Sequence, residues 1–388
     1  MHLKHGINLA YCTNIHRGET WAETFGTLQK YSLAVRDRVC SRKPYAIGLR
    51  LGDQTSRELS DPKTLTEFQR WLEKENCYIF TINGFPYGRF HGGRVKEHVY
   101  EPDWTTQARV EYTNRLFDLL AQLLPPGIEG SVSTVPCSFK EFIHSAAQIG
   151  AMRRNIWASV QHIAALSERT GKRLHLGLEP EPLCFLETSA ETVEFIGRVR
   201  AENGNDPRLQ EHLGVNYDAC HLAIEYEEPT AVLRKFAENN IKLSKLHFSS
   251  ALKVIPTIET REALKKFVDV VYFHQVIERE KQRPLKRYKD LDVALTDFQA
   301  PPGDLPEWRI HFHIPLHCQP TKLFDTTTDH LVSLMDELAR NPGLCSHIEM
   351  ETYTWEVLPA EMKNLSVVDQ LVNEYEWTLS ALRARGLA

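Results

Sequence analysis

Four histidines and five acids between residues 179 and 351 fall at spacings that could bind a metal ion. Glu179 and Glu181 flank Pro180, which stiffens the backbone between them. Asp218 and His221 are three apart, so one turn of helix would turn both toward one point. His247 stands in the run Lys-Leu-His-Phe-Ser-Ser. His311 and His313, like Glu349 and Glu351, share a face at the period of a strand. Imidazole nitrogen combined with carboxylate oxygen suits Zn²⁺, Mn²⁺ or Fe²⁺ better than Ca²⁺. Acids left unpaired beside one another are costly, and a cation removes that cost. The competing reading is a polar pocket in which the same side chains bond only to each other. Glu181 can stand in for Glu179, and Glu349 for Glu351, because a one-residue shift at a strand end reverses which acid points inward.

The elements that must position these groups alternate along the chain. Short apolar runs lie at 7–12, 46–51, 78–82, 130–135, 174–178, 214–217, 242–248 and 347–351. Amphipathic stretches lie between or after them, at 22–39, 65–75, 107–124, 139–170, 189–199, 229–239 and 367–383. Strands separated by helices imply parallel pairing with crossover connections. Eight such units predict a (β/α)8 TIM barrel, with a doubly wound open sheet as the alternative. In a barrel, chemistry gathers at the C-terminal ends of the strands, which is where the residues above fall. Residues 1–388 are expected to make one barrel domain. Residues 253–308 are expected to be an insertion ahead of the last strand, a hairpin or small subdomain containing strand-like Tyr-Phe-His-Gln-Val-Ile-Glu and followed by strand-like His-Phe-His-Ile-Pro-Leu.

Other polar groups near the run ends are candidates for binding substrate. They are His16, Asn83, His91, Arg50 and Trp355. Asn83 and Gly84 also read as a turn. Arg50 and Lys245 could neutralise an anion or pair with a barrel acid. His274, His317 and His347 rank behind these, and His175, inside an apolar run, reads as a hydrogen-bonded structural residue. Trp21, Phe85, Tyr87, Tyr353 and Trp355 could line an apolar region or pack at the rim.

Composition limits the partners. The 388 residues carry 46 basic and 51 acidic side chains, a net charge of −5, so no chain-wide basic field exists for nucleic acid. The eight cysteines are scattered without a CxxC pair, which argues against a disulfide framework. No secretory peptide or spanning helix is read, and a cytoplasmic protein is expected.

The order Glu, Asp-x-x-His, His, Glu at successive strand ends resembles the xylose-isomerase-like barrel superfamily. That group holds sugar isomerases and epimerases and the apurinic-site endonucleases. The resemblance implies Glu179, Asp218, His247 and Glu351 as metal ligands, with His221 and His313 as further ligands. Glu179 and Glu351 would be the catalytic pair. Where the multi-metal members carry Asp-x-His, this chain reads His311-Phe312-His313, which puts a three-metal nuclease centre in doubt. A closer likeness covers nearly the whole chain. The strings at 11–21, 178–182, 273–276, 311–315 and 351–355 resemble the EboE family of bacterial metabolite-traffic proteins.

Three functions follow as expectations. The first is a divalent-metal enzyme acting on a small secondary metabolite, by isomerase or epimerase chemistry or by hydrolysis. The second is a non-catalytic metabolite-binding protein, peripheral to the membrane through other Ebo-system proteins, a prenyltransferase-like one among them. The third, a metal-dependent phosphoesterase or endonuclease, is disfavoured by charge and by the missing Asp. Zn, Mn or Fe is the expected cofactor, and nucleic acid is not an expected partner.

Overall fold

The computed structural model describes residues 1–91, 93–281, 283–354 and 365–388. Eight of the strands are β1 (Asn8–Tyr11), β2 (Tyr45–Arg50), β3 (Cys77–Asn83), β4 (Gly130–Thr134), β5 (Leu174–Leu178), β6 (Leu213–Asp218), β7 (Lys242–Phe248) and β13 (His347–Met350). They pair in parallel in the order β1-β13-β7-β6-β5-β4-β3-β2. A bridge between Cys12 and Gly48 brings β2 back onto β1, so the sheet closes into the expected barrel.

The helices outside it begin where the sequence supplies caps. Thr20 and Glu23 make a capping box, as do Thr188 and Glu191, and Asp61 caps the helix Pro62–Lys74 with proline at its first position. On that helix Leu65, Phe68 and Leu72 recur at helical spacing and are the buried face. Each such side chain contributes about 1.5–3 kcal/mol by leaving water. The helix Ala146–Thr170 stops at Gly171, whose φ of 67° is the left-handed turn that glycine adopts without strain.

The barrel interior departs from the usual filling of branched apolar residues. Low in the barrel, His347 Nδ1 bonds Ser131 Oγ at 2.8 Å, and Ser131 bonds Thr81 Oγ1 at 2.8 Å. Above them Lys245 Nζ donates to Glu349 Oε2 at 2.6 Å and to Ser133 Oγ at 3.1 Å. This polar column rises by the period of two and delivers His247 and Glu351 to the top.

Between β7 and β13 the chain builds a second, antiparallel sheet. Its strands are β8 (Leu252–Val254), β9 (Val276–Arg279), β10 (Lys286–Tyr288), β11 (Glu307–Ile310) and β12 (Asp325–Thr326), in the order β10-β9-β11-β8-β12. It therefore extends past residue 308, because β12 pairs with β8. Arg287 ties it to the barrel by pairing with both Glu187 and Glu225. The expectation that His311 and His313 lie on a strand is corrected: β11 ends at Ile310. The His311 amide donates to Gln275 O and the Ile314 amide to Ser250 O, so the segment bends off the sheet and docks on the barrel top.

The last helix, Val367–Arg383, holds this region from outside. Buried Glu374 accepts the Leu316 amide at 3.1 Å and the Thr352 hydroxyl at 2.6 Å. Burial, opposed by those two bonds, pushes its carboxyl up to about 7 from the usual 4.5. Between those values the folded chain holds a proton that the unfolded chain has released. The stabilisation is complete below pH 4.5 and is lost as pH rises through 7. Glu374→Gln should therefore gain stability relative to wild type as pH rises, by on the order of 3 kcal/mol across that window. Urea unfolding at several pH values measures this, and a pH-independent difference would refute it.

Candidate metal centre

Four neighbouring strands of the barrel each end in one member of a buried quartet. Glu179 follows β5, Asp218 closes β6, His247 is next to last in β7, and Glu351 follows β13. One ligand atom from each lies within 4.8 Å of the others. His247 Nδ1 sits 3.0 Å from Glu179 Oε1, 3.3 Å from Asp218 Oδ2 and 3.0 Å from Glu351 Oε2. A single ring nitrogen cannot serve three acids. Glu179 Oε2 and Asp218 Oδ2 are buried with no hydrogen-bond partner. Burial opposes a charge on His247, yet Glu351 and Glu179 outweigh it and hold the imidazole well above its usual range. The donor set, three carboxylates and one imidazole around one point, fits a divalent cation.

The alternatives among the acids are resolved by what each one touches. Glu349 stands behind the quartet, not in it. Its Oε2 accepts from Lys245 at 2.6 Å and from His247 Nε2 at 3.0 Å. Burial would raise the Glu349 carboxyl, but Lys245 and His247 bring it down to about 2. With Nε2–H given to Glu349, His247 Nδ1 is the nitrogen turned to the quartet, and it would be the ligand atom once an ion displaces its proton, an arrangement typical of metal-binding imidazoles. Glu181 lines the same pocket but stands outside the quartet, accepting the Tyr100 hydroxyl at 2.7 Å, and burial pushes its carboxyl up to about 8.

Asp218 does two jobs with its two oxygens. Oδ1 caps the helix Ala219–Ile224 by accepting the His221 amide at 3.1 Å, and it also accepts the Ser249 hydroxyl at 2.6 Å. Oδ2 is left to face the quartet. Burial would raise this carboxyl, but His221 and His313 outweigh it and hold it well below its usual range. Glu351 is aimed by two amides, with its Oε1 accepting from Asn14 at 2.7 Å and from Asn83 at 3.1 Å.

Beside the quartet lies a second group. The Nε2 atoms of His221, His311 and His313 are 3.1, 3.2 and 3.3 Å apart in pairs. Asp218 offers an oxygen within reach of His221 and His313.

Both groups border a pocket that opens to solvent and has a cavity volume of about 50 Å³. Glu179, Glu351, His221 and His311 form its floor, and Phe85, Phe90, Tyr100, Tyr272, Phe273 and Tyr353 supply aromatic walls. Two segments make the roof. One is the loop after β3, held by Arg109, whose guanidinium donates to Gly84 O at 2.9 Å and Pro102 O at 2.7 Å. The other precedes β9, where Val271 O accepts the Val95 and Lys96 amides and Lys96 pairs with Asp290.

The remaining predicted residues fall in different places. Asn83 lines the cavity. His91 braces the roof, with Nε2 2.7 Å from Asn14 O and Nδ1 2.7 Å from the Tyr272 hydroxyl. His16 is not in the cavity wall; it bonds the Tyr11 hydroxyl at 2.9 Å and stacks on Tyr31. Arg50 also lies outside the wall, donating to Gly18 O at 2.9 Å and Gly88 O at 2.8 Å. Its role is to hold two loops together. Trp355 lies outside the described residues.

Sequence reasoning missed Arg109, Gln275, whose Oε1 lies 2.7 Å from His311 Nδ1, and Asn216, whose Nδ2 lies 3.2 Å from His247 Nδ1; none of them carries a motif. The sequence shows His311 as a departure from the Asp-x-His pattern. The repeat of His at period two was the signal available for His311.

Gly48 tests the support beneath His247. A Cβ there would lie 2.0 Å from Glu349 Oε1 and 2.5 Å from Tyr11 O. Gly48→Ala should displace Glu349, cost about 1–3 kcal/mol of stability and weaken divalent-metal affinity about 10–100-fold. Thermal melts and metal titration of the same preparation check both effects; unchanged affinity would contradict the supporting role.

No family model matches the chain, and no curated protein sequence does. Solved structures do. An L-ribulose 3-epimerase aligns over 99% of this chain and 96% of its own, at 12% identity and a TM-score of 0.52. A D-tagatose 3-epimerase-like protein aligns over 98% of each chain, at 12% identity and a TM-score of 0.52. A xylose isomerase-like TIM barrel protein from Mycobacterium smegmatis, in complex with magnesium, covers 98% of this chain and 97% of its own at 14% identity and a TM-score of 0.53. At such identities the likeness is one of fold, and the chain is a (β/α)8 TIM barrel as these proteins are.

Proposed function

We propose that the protein is a divalent-metal enzyme that moves a proton on a small hydroxy- or carbonyl-bearing metabolite, in the manner of an isomerase or epimerase. The observation that carries this is the quartet Glu179, Asp218, His247 and Glu351, buried at the strand ends with two acid oxygens unpartnered. All four would hold the ion. Its positive charge would favour negative charge developing on a substrate oxygen. The epimerase and epimerase-like proteins that share the fold, one relative of which holds magnesium, support the same reading.

The chain's own residues account for the rest. Glu179 and Glu351 both face the cavity and are the groups placed to take and return a carbon-bound proton. Asn14 and Asn83 fix one oxygen of Glu351 and leave the other toward the quartet. The aromatic walls exclude water and accept an apolar or aromatic part of the substrate. Lys96, the basic side chain in the wall, is already paired with Asp290, which disfavours a phosphorylated sugar. An amphiphilic metabolite fits better, with a polar head at the acids and an apolar body under the roof.

The apolar wall also favours a second reading, in which the cavity holds such a metabolite without turning it over. The resemblance to EboE-type traffic proteins belongs here. On this reading the chain works in the cytoplasm beside other Ebo-system proteins, including a membrane prenyltransferase-like partner. Among the described residues no helix is long and apolar enough to cross a membrane.

Two measurements separate these outcomes. Mn²⁺ or Zn²⁺ at about one hundred times its dissociation constant should stabilise the metal-stripped protein by about 2.7 kcal/mol, read as a rise in Tm; no rise would undo the metal reading. Candidate hydroxy-carbonyl compounds incubated in D₂O with loaded enzyme should gain carbon-bound deuterium. Glu179→Gln and Glu351→Gln should each slow that exchange by about 10²–10⁴-fold. Binding without exchange would favour the carrier.

A further inference from the structure

Taking the pocket as a metabolite site, as above, we infer that its ligand presents a protonated amine, seated between Asn14, Glu181 and the aromatic wall. Among the described residues, each side-chain donor that lines the pocket already has a partner. The Asn14 and Asn83 amides donate to Glu351 at 2.7 and 3.1 Å. The Tyr100 hydroxyl donates to Glu181 at 2.7 Å, and the Tyr272 hydroxyl to Phe90 O at 3.0 Å. The Tyr353 hydroxyl lies 3.3 Å from His311 Nε2, and Lys96 pairs with Asp290. His221 and His311 keep their ring protons at Nδ1, against Pro180 O at 3.0 Å and Gln275 Oε1 at 2.7 Å, because those oxygens only accept.

The unused groups are acceptors. Asn14 lines the pocket and is 2% exposed. Its amide nitrogen is fixed on Glu351, so the atom left without a partner is the oxygen Oδ1. Glu179 Oε2 is unpartnered too, and an ion at the quartet answers it. Asn14 Oδ1 still needs a hydrogen. A buried acceptor without a donor costs about 1–3 kcal/mol, and a ligand bringing N–H or O–H removes that cost.

Charge and rings choose between those donors. One divalent ion offsets two of the four acids gathered here, Glu179, Glu181, Asp218 and Glu351, and Lys96 is engaged by Asp290. The surplus is negative, which favours a cationic donor over a neutral one and repels an anion. Phe90, Tyr272 and Tyr353 stand with ring centroids 5.3, 5.4 and 5.5 Å apart in pairs. Aromatic faces attract an ammonium and offer a neutral hydroxyl far less. The cavity volume of about 50 Å³ suits such a head group.

The test compares two probes of one shape, ethanolamine and ethylene glycol, by calorimetry on the full-length protein saturated with Mg²⁺. Mg²⁺ takes oxygen ligands, so nitrogen bound to the ion does not enter the comparison. At neutral pH the amine should bind about tenfold more tightly than the diol, with the ion retained. Glu181→Leu should abolish that preference, and Phe90→Leu should reduce it about two- to fivefold. Equal affinities, a tighter diol, release of Mg²⁺ by the amine, or a preference untouched in both variants overturns the inference. The wild-type ratio decides by itself if the variants do not fold. If no ion binds, the same pair is compared on the metal-free chain, and loss of the preference in Glu181→Leu upholds the amine seat. Failure of the enzyme reading looks different: no metal-dependent rise in Tm, or no deuterium exchange, with the amine preference intact.

Discussion

Four carboxylates converge inside the barrel, and the charge they place there is the constraint that organises the rest. Glu179, Asp218, Glu349 and Glu351 are all buried, and the permanent cation among them is Lys245. Burying an unpaired carboxylate costs several kcal/mol, so each needs a partner fixed in position. Lys245 and His247 answer Glu349. Asn14 and Asn83 answer one oxygen of Glu351, and Ser249 with the His221 amide answers one of Asp218. Glu179 Oε2 and Asp218 Oδ2 stay unanswered at the quartet, where a cation would sit, and Glu349 Oε1 stays unpartnered behind it, beside Gly48.

The same constraint explains the polar barrel interior. Lys245 and Glu349 pair with each other, Ser133 accepts a further Lys245 proton, and in the layer below Ser131, Thr81 and His347 bond among themselves in place of an apolar filling. Gly48 belongs to this scheme, because any side chain there would occupy the space of the Glu349 carboxylate. The electrostatics also require that water be limited, and the roof does that. The roof is built by two segments far apart in the chain, joined at Val95, Lys96 and Val271.

The inserted sheet has a second purpose. Its β11 ends one residue before His311, and the chain then bends onto the barrel. The insertion thereby supplies two imidazoles that no barrel strand carries. Gln275, one residue ahead of β9 and on the same insertion, orients one of them. Barrel and insertion are thus coupled through the site as well as through Arg287.

The eight-unit barrel was legible in the sequence because apolar runs and amphipathic stretches alternate with a local period that needs no distant contact. The candidate ligands were legible for a related reason: a barrel puts strand ends together, so Glu179 or Glu181, Asp218, His247 and Glu349 or Glu351 could be listed, and the family resemblance pointed to Glu179 and Glu351 among them. Tertiary structure alone decided which acid of each pair faces inward, since that depends on the partners at Lys245 and Tyr100. It also moved His16 and Arg50 out of the cavity wall and brought His311 into a triad with His221, ninety residues away. Residue type and spacing determine what a side chain can bind. Which groups meet is set by the packing of loops and by the bend after β11, and neither has a local sequence period.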